Sequence, residues 1–452
     1  MFVLAVAIMT ALIINNMNPS FAVALIVGCL ILFVSFLSTE LAVYVLIFSM
    51  LLSPEIVLSQ QSQRDLSIRM DDLLIMVIAL GWLARSAFYK ELGLIIKTPL
   101  NKAILCYATI CVLSTLFGMI FGKVRPLQGT LFVLKYLEYF VIFFMVLNNI
   151  HSREQLKRYF LALLITAVIV SLYAIIQIPM GERVSAPFEG KSGEPNTFGG
   201  YLVLMISLLS GIFLTYTNKK VKGASLAALG LLAIPFVYTL SRSSWMAIAG
   251  MYATLLIFSN KRMVLGVLLI LAVLAGQMIM PKEVQKRYEK TFMNQPLESK
   301  DQVKVGGVYL DLSASERVNS YLKILEDIKK RPLLGYGITG YGFIDGQYFR
   351  TLIETGFIGL SAFLYLLFKI FSTILRTYRN STDELFKGIS LGILVGFAAM
   401  LTHAMTANTF IIIRIMEPFW FLMAMSIAVQ SHKLDAKEPV QTVSATAVCY
   451  ES

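Results

Sequence analysis

The chain has 452 residues, of which 57% are hydrophobic and 15% charged, and its formal net charge is +12. This apolar share far exceeds that of a soluble domain, so the composition excludes a soluble globular enzyme and predicts an all-α polytopic integral membrane protein. The basic excess does not call for a nucleic-acid partner, because membrane proteins use basic loop residues to set their orientation. The four cysteines lie in apolar runs or in the polar tail and predict neither a disulfide framework nor a metal cluster.

A membrane span needs about twenty apolar residues, and runs of this kind predict about fourteen transmembrane helices. The predicted spans are 2–16, 20–37, 40–58, 71–88, 102–121, 129–149, 159–180, 198–217, 224–241, 244–259, 263–280, 352–375, 387–406 and 414–430.

Lysine and arginine clusters recur in alternate connections, which the positive-inside rule makes cytoplasmic. Both termini are then expected on the cytoplasmic side, with the first apolar run kept as a span. The predicted organisation is helices 1 to 11 over 1–280, a large extracytoplasmic loop over 281–351, helices 12 to 14 over 352–430, and a disordered cytoplasmic tail over 431–452.

The large outer loop, about seventy residues long, is too long for a simple connection, so we expect chemistry there. Ser313-Ala-Ser-Glu316 has the spacing of a capping box, and apolar residues then recur at helical spacing until Pro332. This pattern predicts an amphipathic helix on the membrane surface with Arg317 in its first turn. Glycine pairs after it allow an irregular return to Asp345 at the start of the next span.

Several arginines lie on the outer side, where topology disfavours them. Headgroup contacts and ordinary salt bridges explain any single one. Several at one membrane face predict a diphosphate site instead, because the planar guanidinium grips phosphate oxygens with paired, charge-assisted hydrogen bonds. These residues are Arg125, Arg183, Arg242 and Arg317.

Four motifs follow one another on the outer side of the chain. They read Glu194-Pro-Asn-Thr-Phe-Gly-Gly-Tyr, Thr239-Leu-Ser-Arg-Ser-Ser-Trp, Arg331-Pro-Leu-Leu-Gly-Tyr-Gly and Asp345 to Leu360. In this order they resemble the O-antigen ligase and polymerase superfamily, over roughly residues 180–425.

The resemblance implies a metal-independent, all-helical membrane glycosyltransferase of GT-C-like fold without a cofactor. Its substrate would be an oligosaccharide on undecaprenyl diphosphate, used at the outer face of the bacterial plasma membrane. Arg242 and Arg317 resemble the family's diphosphate-binding arginines, and Arg183 a further basic residue ahead of the Pro-Asn motif that holds Asn196. Asp345 stands where the ligases often carry a histidine.

The reaction that this resemblance implies is an inverting glycosyl transfer, in which arginines stabilise the leaving diphosphate. Asp345 would orient or deprotonate the attacking sugar hydroxyl, and Glu354 is the other candidate base. Glu354 alternatively pairs with Arg350 four residues earlier. The sequence contains no Asp-x-Asp motif, which argues against a catalytic metal.

Three further residues are candidate substrate contacts with structural alternatives. His403, near the outer end of a span, is either a second proton-transfer group or a histidine bonded to a backbone carbonyl. Tyr341 and Tyr348 either stack on sugar rings or anchor the chain at the membrane interface.

Two charged pairs lie inside predicted spans at a spacing of three residues. Lys135 with Glu138, and Arg414 with Glu417, are interpreted as locally satisfied ion pairs. Gly356 and Gly359 are expected to allow close helix packing.

Three functions remain open. The leading one is a polymerase that joins lipid-linked repeat units into O-antigen, capsule or exopolysaccharide, in company with a flippase and a chain-length regulator. The second is a ligase that moves finished glycan to lipid A core or another surface acceptor. The third is a flippase or transporter, which would predict an internal repeat that the sequence does not show.

Overall fold

The computed structural model describes residues 19–59, 66–88, 96–189, 193–267, 270, 285, 292–293, 302–305 and 308–430. Its longer helices are α1 (Pro19–Leu37), α2 (Thr39–Leu52), α3 (Met70–Phe88), α4 (Asn101–Ile120), α5 (Pro126–Asn149), α6 (Arg153–Gln177), α7 (Pro195–Thr215), α8 (Lys219–Tyr238), α9 (Arg242–Phe258), α10 (Leu312–Asp327), α11 (Gln347–Asn380), α12 (Glu384–His403) and α13 (Ile413–Gln430). The predicted span 2–16, most of span 263–280 and the tail 431–452 lie outside the described residues.

The described chain is mostly helical, in agreement with the predicted class. Seven of its helices are long and apolar enough to cross a membrane, namely α4, α5, α6 with its short extension to Met180, α7, α8, α11 and α12. The chain is therefore a multi-pass membrane protein. The total of about fourteen spans, the domain boundaries and the orientation stay predictions.

The predicted span 40–58 is wrong at its end. Helix α2 stops at Leu52, and strand β1 (Glu55–Ser59) follows Pro54 and pairs antiparallel with β2 (Leu66–Arg69). Proline has no N–H to continue a helix. An apolar run alone cannot tell a strand from a helix, which is why the sequence merged the two.

A second small sheet lies in the large outer loop, where the sequence predicted only an irregular path and a helix. Its strands are β3 (Phe292–Met293), β4 (Lys304–Val305) and β5 (Val308–Leu310), with β5 in the middle and both pairings antiparallel. Strand β5 ends directly before α10, so the sheet fixes where that helix begins.

Helices α7 and α12 form the centre of the bundle, since 83% and 72% of the residues in their apolar stretches are buried. Glycines let the two backbones approach closely. A Cβ atom on Gly392 would lie 2.5 Å from the Cα of Leu208, and one on Gly211 would meet the carbonyl of Gly388. Lipid is as apolar as the side chains, so such close packing replaces the hydrophobic effect as the force that joins these helices.

Helix α11 is broken at Gly356, whose φ of +70° lies in the left-handed region. The preceding loop fills the break: the N–H groups of Tyr336 and Gly337 donate to the carbonyls of Ile353 (3.0 Å) and Glu354 (2.8 Å). A Cβ on Gly356 would meet the Leu333 carbonyl. The expectation that Gly356 serves helix packing is therefore wrong, since its role is to admit this loop.

We expect Gly392→Ala to destabilise the protein by about 1–3 kcal/mol, because the new methyl group overlaps the α7 backbone. Gly230→Ala in α8 is the matched control, since no heavy atom lies within 4 Å of a Cβ placed there. Thermal unfolding of both purified variants checks this. Equal melting temperatures for the two variants would contradict the close-packing explanation.

Candidate functional site

Helix α10 begins differently from the prediction. Its N-cap is Asp311, whose Oδ1 accepts a hydrogen bond from the Ala314 N–H at 2.9 Å, so the capping box predicted at Ser313 and Glu316 is wrong. Aspartate is as good a cap as serine, so either residue could begin the helix. Arg317 is the sixth residue of α10 and lies in its second turn, so the predicted position in the first turn is wrong.

The apolar residues of α10 and of the turn that follows it lie on two sides. Ile324 and Ile328 are buried against Ile344 and Ile353, whereas Leu322 and Leu325 are 59% and 47% exposed. Leu322 and Leu325 therefore do not face the protein core. One side of the helix packs on the protein, and the other leaves two leucines uncovered.

The first arginine of the site pairs with the helix cap. Arg242 is the first residue of α9, after the N-cap Ser241, and its Nη1 lies 2.6 Å from Oδ2 of Asp311. One carboxylate thus caps α10 and holds the guanidinium at the start of α9. Both partners are about four-fifths buried.

The second arginine pairs with the predicted base. Nε and Nη2 of Arg317 donate to Oδ2 of Asp345 at 3.1 and 2.9 Å, and both side chains remain partly exposed. The structure thus brings together two residues that the sequence placed in different roles. The two guanidinium hydrogen bonds to one oxygen fix the orientation of the Asp345 carboxylate.

The turn between α12 and α13 draws these pairs together. Tyr321 of α10 donates to the Met405 carbonyl at 3.1 Å, and the Thr406 hydroxyl donates to Ser243, beside Arg242, at 2.9 Å. The Gln347 N–H donates to the Ala404 carbonyl at 2.9 Å. One short turn therefore contacts the start of α9, the start of α11 and the middle of α10. The two arginine–aspartate pairs lie around this turn.

Arg183 and Asn196 form a third element of the site. Nη2 of Arg183 donates to Oδ1 of Asn196 at 3.1 Å, and its Nε donates to the Thr239 carbonyl at 2.9 Å. Thr239 is three residues before Arg242. The Pro-Asn motif and the Ser-Arg motif are thus tied together by the arginine that the sequence singled out.

Glu354 lies away from the two pairs. It is 2% exposed, its Oε2 lies 3.3 Å from Nε of Arg350, and its Oε1 accepts from the Thr339 N–H at 3.2 Å. Of the two alternatives for this residue, the structure supports the pairing with Arg350. Its carboxylate fastens the loop that fills the break in α11.

His403 is 1% exposed and bonds to two hydroxyl groups, Ser244 at 3.3 Å and Thr409 at 2.7 Å. The backbone of Asn196 is a further hydrogen-bond partner of the His403 ring, in agreement with the structural alternative. Ser244 also donates to the N-cap Ser241 at 2.8 Å. Through Ser244, His403 thus helps to hold the start of α9, where Arg242 lies.

The two tyrosines are hydrogen-bonded within the protein. The Tyr341 hydroxyl donates to Oδ2 of Asp327 at 2.7 Å, and the Tyr348 hydroxyl donates to the Leu401 carbonyl at 2.9 Å. Burial, and then the bond to Asp327, raise the pKa of Tyr341. Hydrogen bonds from Lys330 and Tyr341 lower the pKa of Asp327.

Arg125 is exposed and precedes Pro126, the first residue of α5. Its neighbour Val124 packs against Gly337, so Arg125 lies at the edge of the loop that enters the break in α11. The structure places it beside that loop.

Sequence reasoning missed a second charged cluster, at the starts of α3, α7 and α13. Arg414 is fully buried and donates to the carbonyls of Leu51, Pro187 and Ser53, with Glu189 at 3.5 Å. The expected pair of Arg414 with Glu417 is wrong, because both Glu417 carboxylate oxygens lack a hydrogen-bond partner among the described residues.

Lys135 belongs to the same cluster. Its Nζ lies 3.2 Å from Oδ2 of Asp72 on α3, whereas Oε1 of Glu138 is buried without a hydrogen-bond partner in the described part of the chain. Lys135 therefore joins α5 to α3, and it also interacts electrostatically with Glu138 of its own helix, as expected. The acidic start of α3 was visible in the sequence, but its partner on α5 was not.

Within the described ranges, no three His, Cys, Asp or Glu side chains are placed to hold a metal ion. The positive charge available to an anionic ligand at the site comes from Arg242, Arg317 and Arg183. Arg242 is the first residue of α9, where the positive end of the helix dipole adds to this charge.

Residues 227–364 match the family model described as O-antigen ligase. The matched part runs from α8 to α11 and includes Arg242, Arg317 and Asp345. This finding confirms the resemblance to the O-antigen ligase and polymerase superfamily, for somewhat under a third of the chain. A search of curated proteins gave no match.

We expect Asp311→Asn to leave the stability nearly unchanged and Asp311→Ala to lower it by about 1 kcal/mol. Asparagine still caps α10, and its side-chain oxygen can still accept a hydrogen bond from Arg242. Thermal unfolding of the two purified variants measures this. A loss in Asp311→Asn as large as in Asp311→Ala would mean that the ion pair with Arg242, rather than the cap, holds α10 in place.

Proposed function

We propose that this protein is a polysaccharide repeat-unit polymerase, an inverting and metal-independent glycosyltransferase of GT-C-like fold. It would transfer glycan from undecaprenyl diphosphate to a lipid-linked oligosaccharide, at the outer face of the bacterial inner membrane. The match to the O-antigen ligase family supports a glycosyltransferase that uses lipid-linked oligosaccharides in a membrane. The observation that carries the proposal is the pair of arginine–aspartate contacts around the first turns of α10.

The diphosphate of the donor would take the place of the aspartates on the two guanidinium groups. Arg242 and Arg317 each offer several N–H groups, and a diphosphate offers more acceptor oxygens than one carboxylate. Binding of the donor would therefore release Asp345 from Arg317. The base would become free only when the leaving group is in place.

The transfer step then follows from these positions. The released Asp345 carboxylate accepts the proton of an acceptor hydroxyl, and the hydroxyl oxygen forms a bond to the anomeric carbon of the donor. The bond from that carbon to the phosphate oxygen breaks on the opposite side, and the electron pair leaves with undecaprenyl diphosphate. The arginines stabilise the charge that develops on its oxygens.

A ligase is the second candidate, because the matched family is described as O-antigen ligase. The same arginines would serve it, and only the acceptor would differ. Asp345 in place of the histidine often found in ligases favours the polymerase. A flippase or transporter is less consistent with a family named for glycan transfer. A flippase and a chain-length regulator remain proposed partners.

Arg242→Ala and Arg317→Ala should each lower transfer by about two to three orders of magnitude, the size expected when a group that stabilises the transition state is lost. Arg242→Lys should recover little activity, since a lysine cannot form the paired hydrogen bonds. Arg158→Ala, an exposed arginine paired with Glu40, is the control.

The assay for these variants uses purified protein with undecaprenyl-diphosphate-linked oligosaccharide and no other enzyme. Product length is read on a gel. Near-normal activity in both alanine variants would contradict the proposal that Arg242 and Arg317 bind the donor diphosphate. Full activity in Arg242→Lys would mean that only positive charge is needed. A flippase would leave glycan length unchanged in every sample.

A strain that lacks this gene, complemented with Asp345→Asn, should lose the long-chain ladder while single repeats stay attached to their surface acceptor. Asp383→Asn is the matched control, because Asp383 caps α12 and asparagine keeps that cap. Loss of all surface attachment, with polymer kept on the lipid carrier, would assign the ligase instead.

A further inference from the structure

A cavity of about 530 Å³ lies between α3 and α5, apart from the two arginine–aspartate pairs. Glu194, at the start of α7, and residues 411–413, at the start of α13, also line it. The lining residues of α5 run from Leu131 to Val141, which is about 15 Å along the helix at about 1.5 Å per residue.

The polar end of this cavity carries both cations and unsatisfied acceptors. Arg69 and Lys135 line it, the former 3.8 Å from Glu194 and the latter 3.2 Å from Asp72. Oδ1 of Asp72 and Oε1 of Glu138 are buried and have no hydrogen-bond partner among the described residues. Buried acceptors of this kind are expensive unless a ligand supplies donors.

The rest of the cavity is apolar and open at its side. Leu73 and Met76 of α3 and Leu134 of α5 line it, yet they are 43%, 51% and 47% exposed. Helix α5 is long and apolar enough to cross a membrane, so a half-exposed apolar side chain on it faces hydrocarbon, and α3 packs beside it. An apolar chain can therefore enter from the bilayer without crossing a polar surface.

The polar end borders the site described above. Glu194 lies two residues before Asn196, which accepts a hydrogen bond from Arg183. Residues 411–413 continue from the turn that contacts Ser243 and Tyr321. A ligand head group at Arg69 and Lys135 is thus next to the elements that hold Arg242.

We propose that this cavity binds the lipid end of the acceptor, a second lipid-linked saccharide. Its apolar chain lies along α3 and α5, its phosphates bind Arg69 and Lys135, and its sugar hydroxyls donate to Asp72 and Glu138. The proposal rests on the proposed polymerase function, in which two lipid-linked saccharides meet in one protein. A membrane phospholipid shares the phosphate and the apolar chain, so the test must separate the two.

The probe is undecaprenyl diphosphate, added to the purified full-length protein and counted by native mass spectrometry. We expect two bound molecules in the wild type. Leu134→Trp fills the cavity and should weaken one of the two sites about tenfold or more, and Met76→Trp should do so from the α3 side. Leu113→Trp is the matched control, because Leu113 on α4 is 43% exposed and lies outside the cavity.

Two bound molecules in both cavity variants, at wild-type affinity, would overturn the proposal. A copurified phospholipid that undecaprenyl diphosphate does not displace, and that both cavity variants lose, would overturn it too. Loss of one bound molecule in Leu134→Trp, with two retained in Arg242→Ala, would support lipid binding in the cavity. The same result would contradict diphosphate binding by Arg242. The two proposals can therefore fail separately.

Discussion

The break in α11 at Gly356 is the constraint on which the arrangement of the candidate site depends. A broken helix near the membrane leaves carbonyl groups without partners, and they must be satisfied by other protein groups. Here the loop that follows α10 supplies them through Tyr336 and Gly337. The bonds fix the return path of the chain, and with it the position of Asp345 at the start of α11 relative to Arg317 on α10.

In the site itself, each arginine that would bind a diphosphate is held by an aspartate. The contacts keep the guanidinium groups in place and limit the free positive charge at the membrane face. A dianionic or trianionic ligand can compete for them, because it offers more acceptor oxygens at higher charge than one carboxylate. The same exchange would link donor binding to release of the base.

The charged cluster beside the site has a different character. Carboxylates outnumber cations there, and several oxygens have no partner within the described residues. Fully buried charge in such a place is costly and needs compensation by hydrogen bonds. Arg414 is compensated by three backbone carbonyls, which ties α13 to the end of α2 and to the loop before α7. Within this cluster, Arg414 holds helices together, whereas Lys135 and Glu138 line the cavity.

The sequence by itself determined the helical membrane class, the approximate helix bounds, the amphipathic α10 and the arginines of the site, because hydropathy, periodicity and side-chain chemistry act locally. Only the tertiary structure decided the partners: Asp311 with Arg242, Asp345 with Arg317, Ser244 with His403, and Asp72 with Lys135. Each of these pairs joins residues from different elements, and the two partners lie between 28 and 159 positions apart in the sequence. Spacing along a chain predicts contacts within one helix, and it is silent on which helices pack side by side.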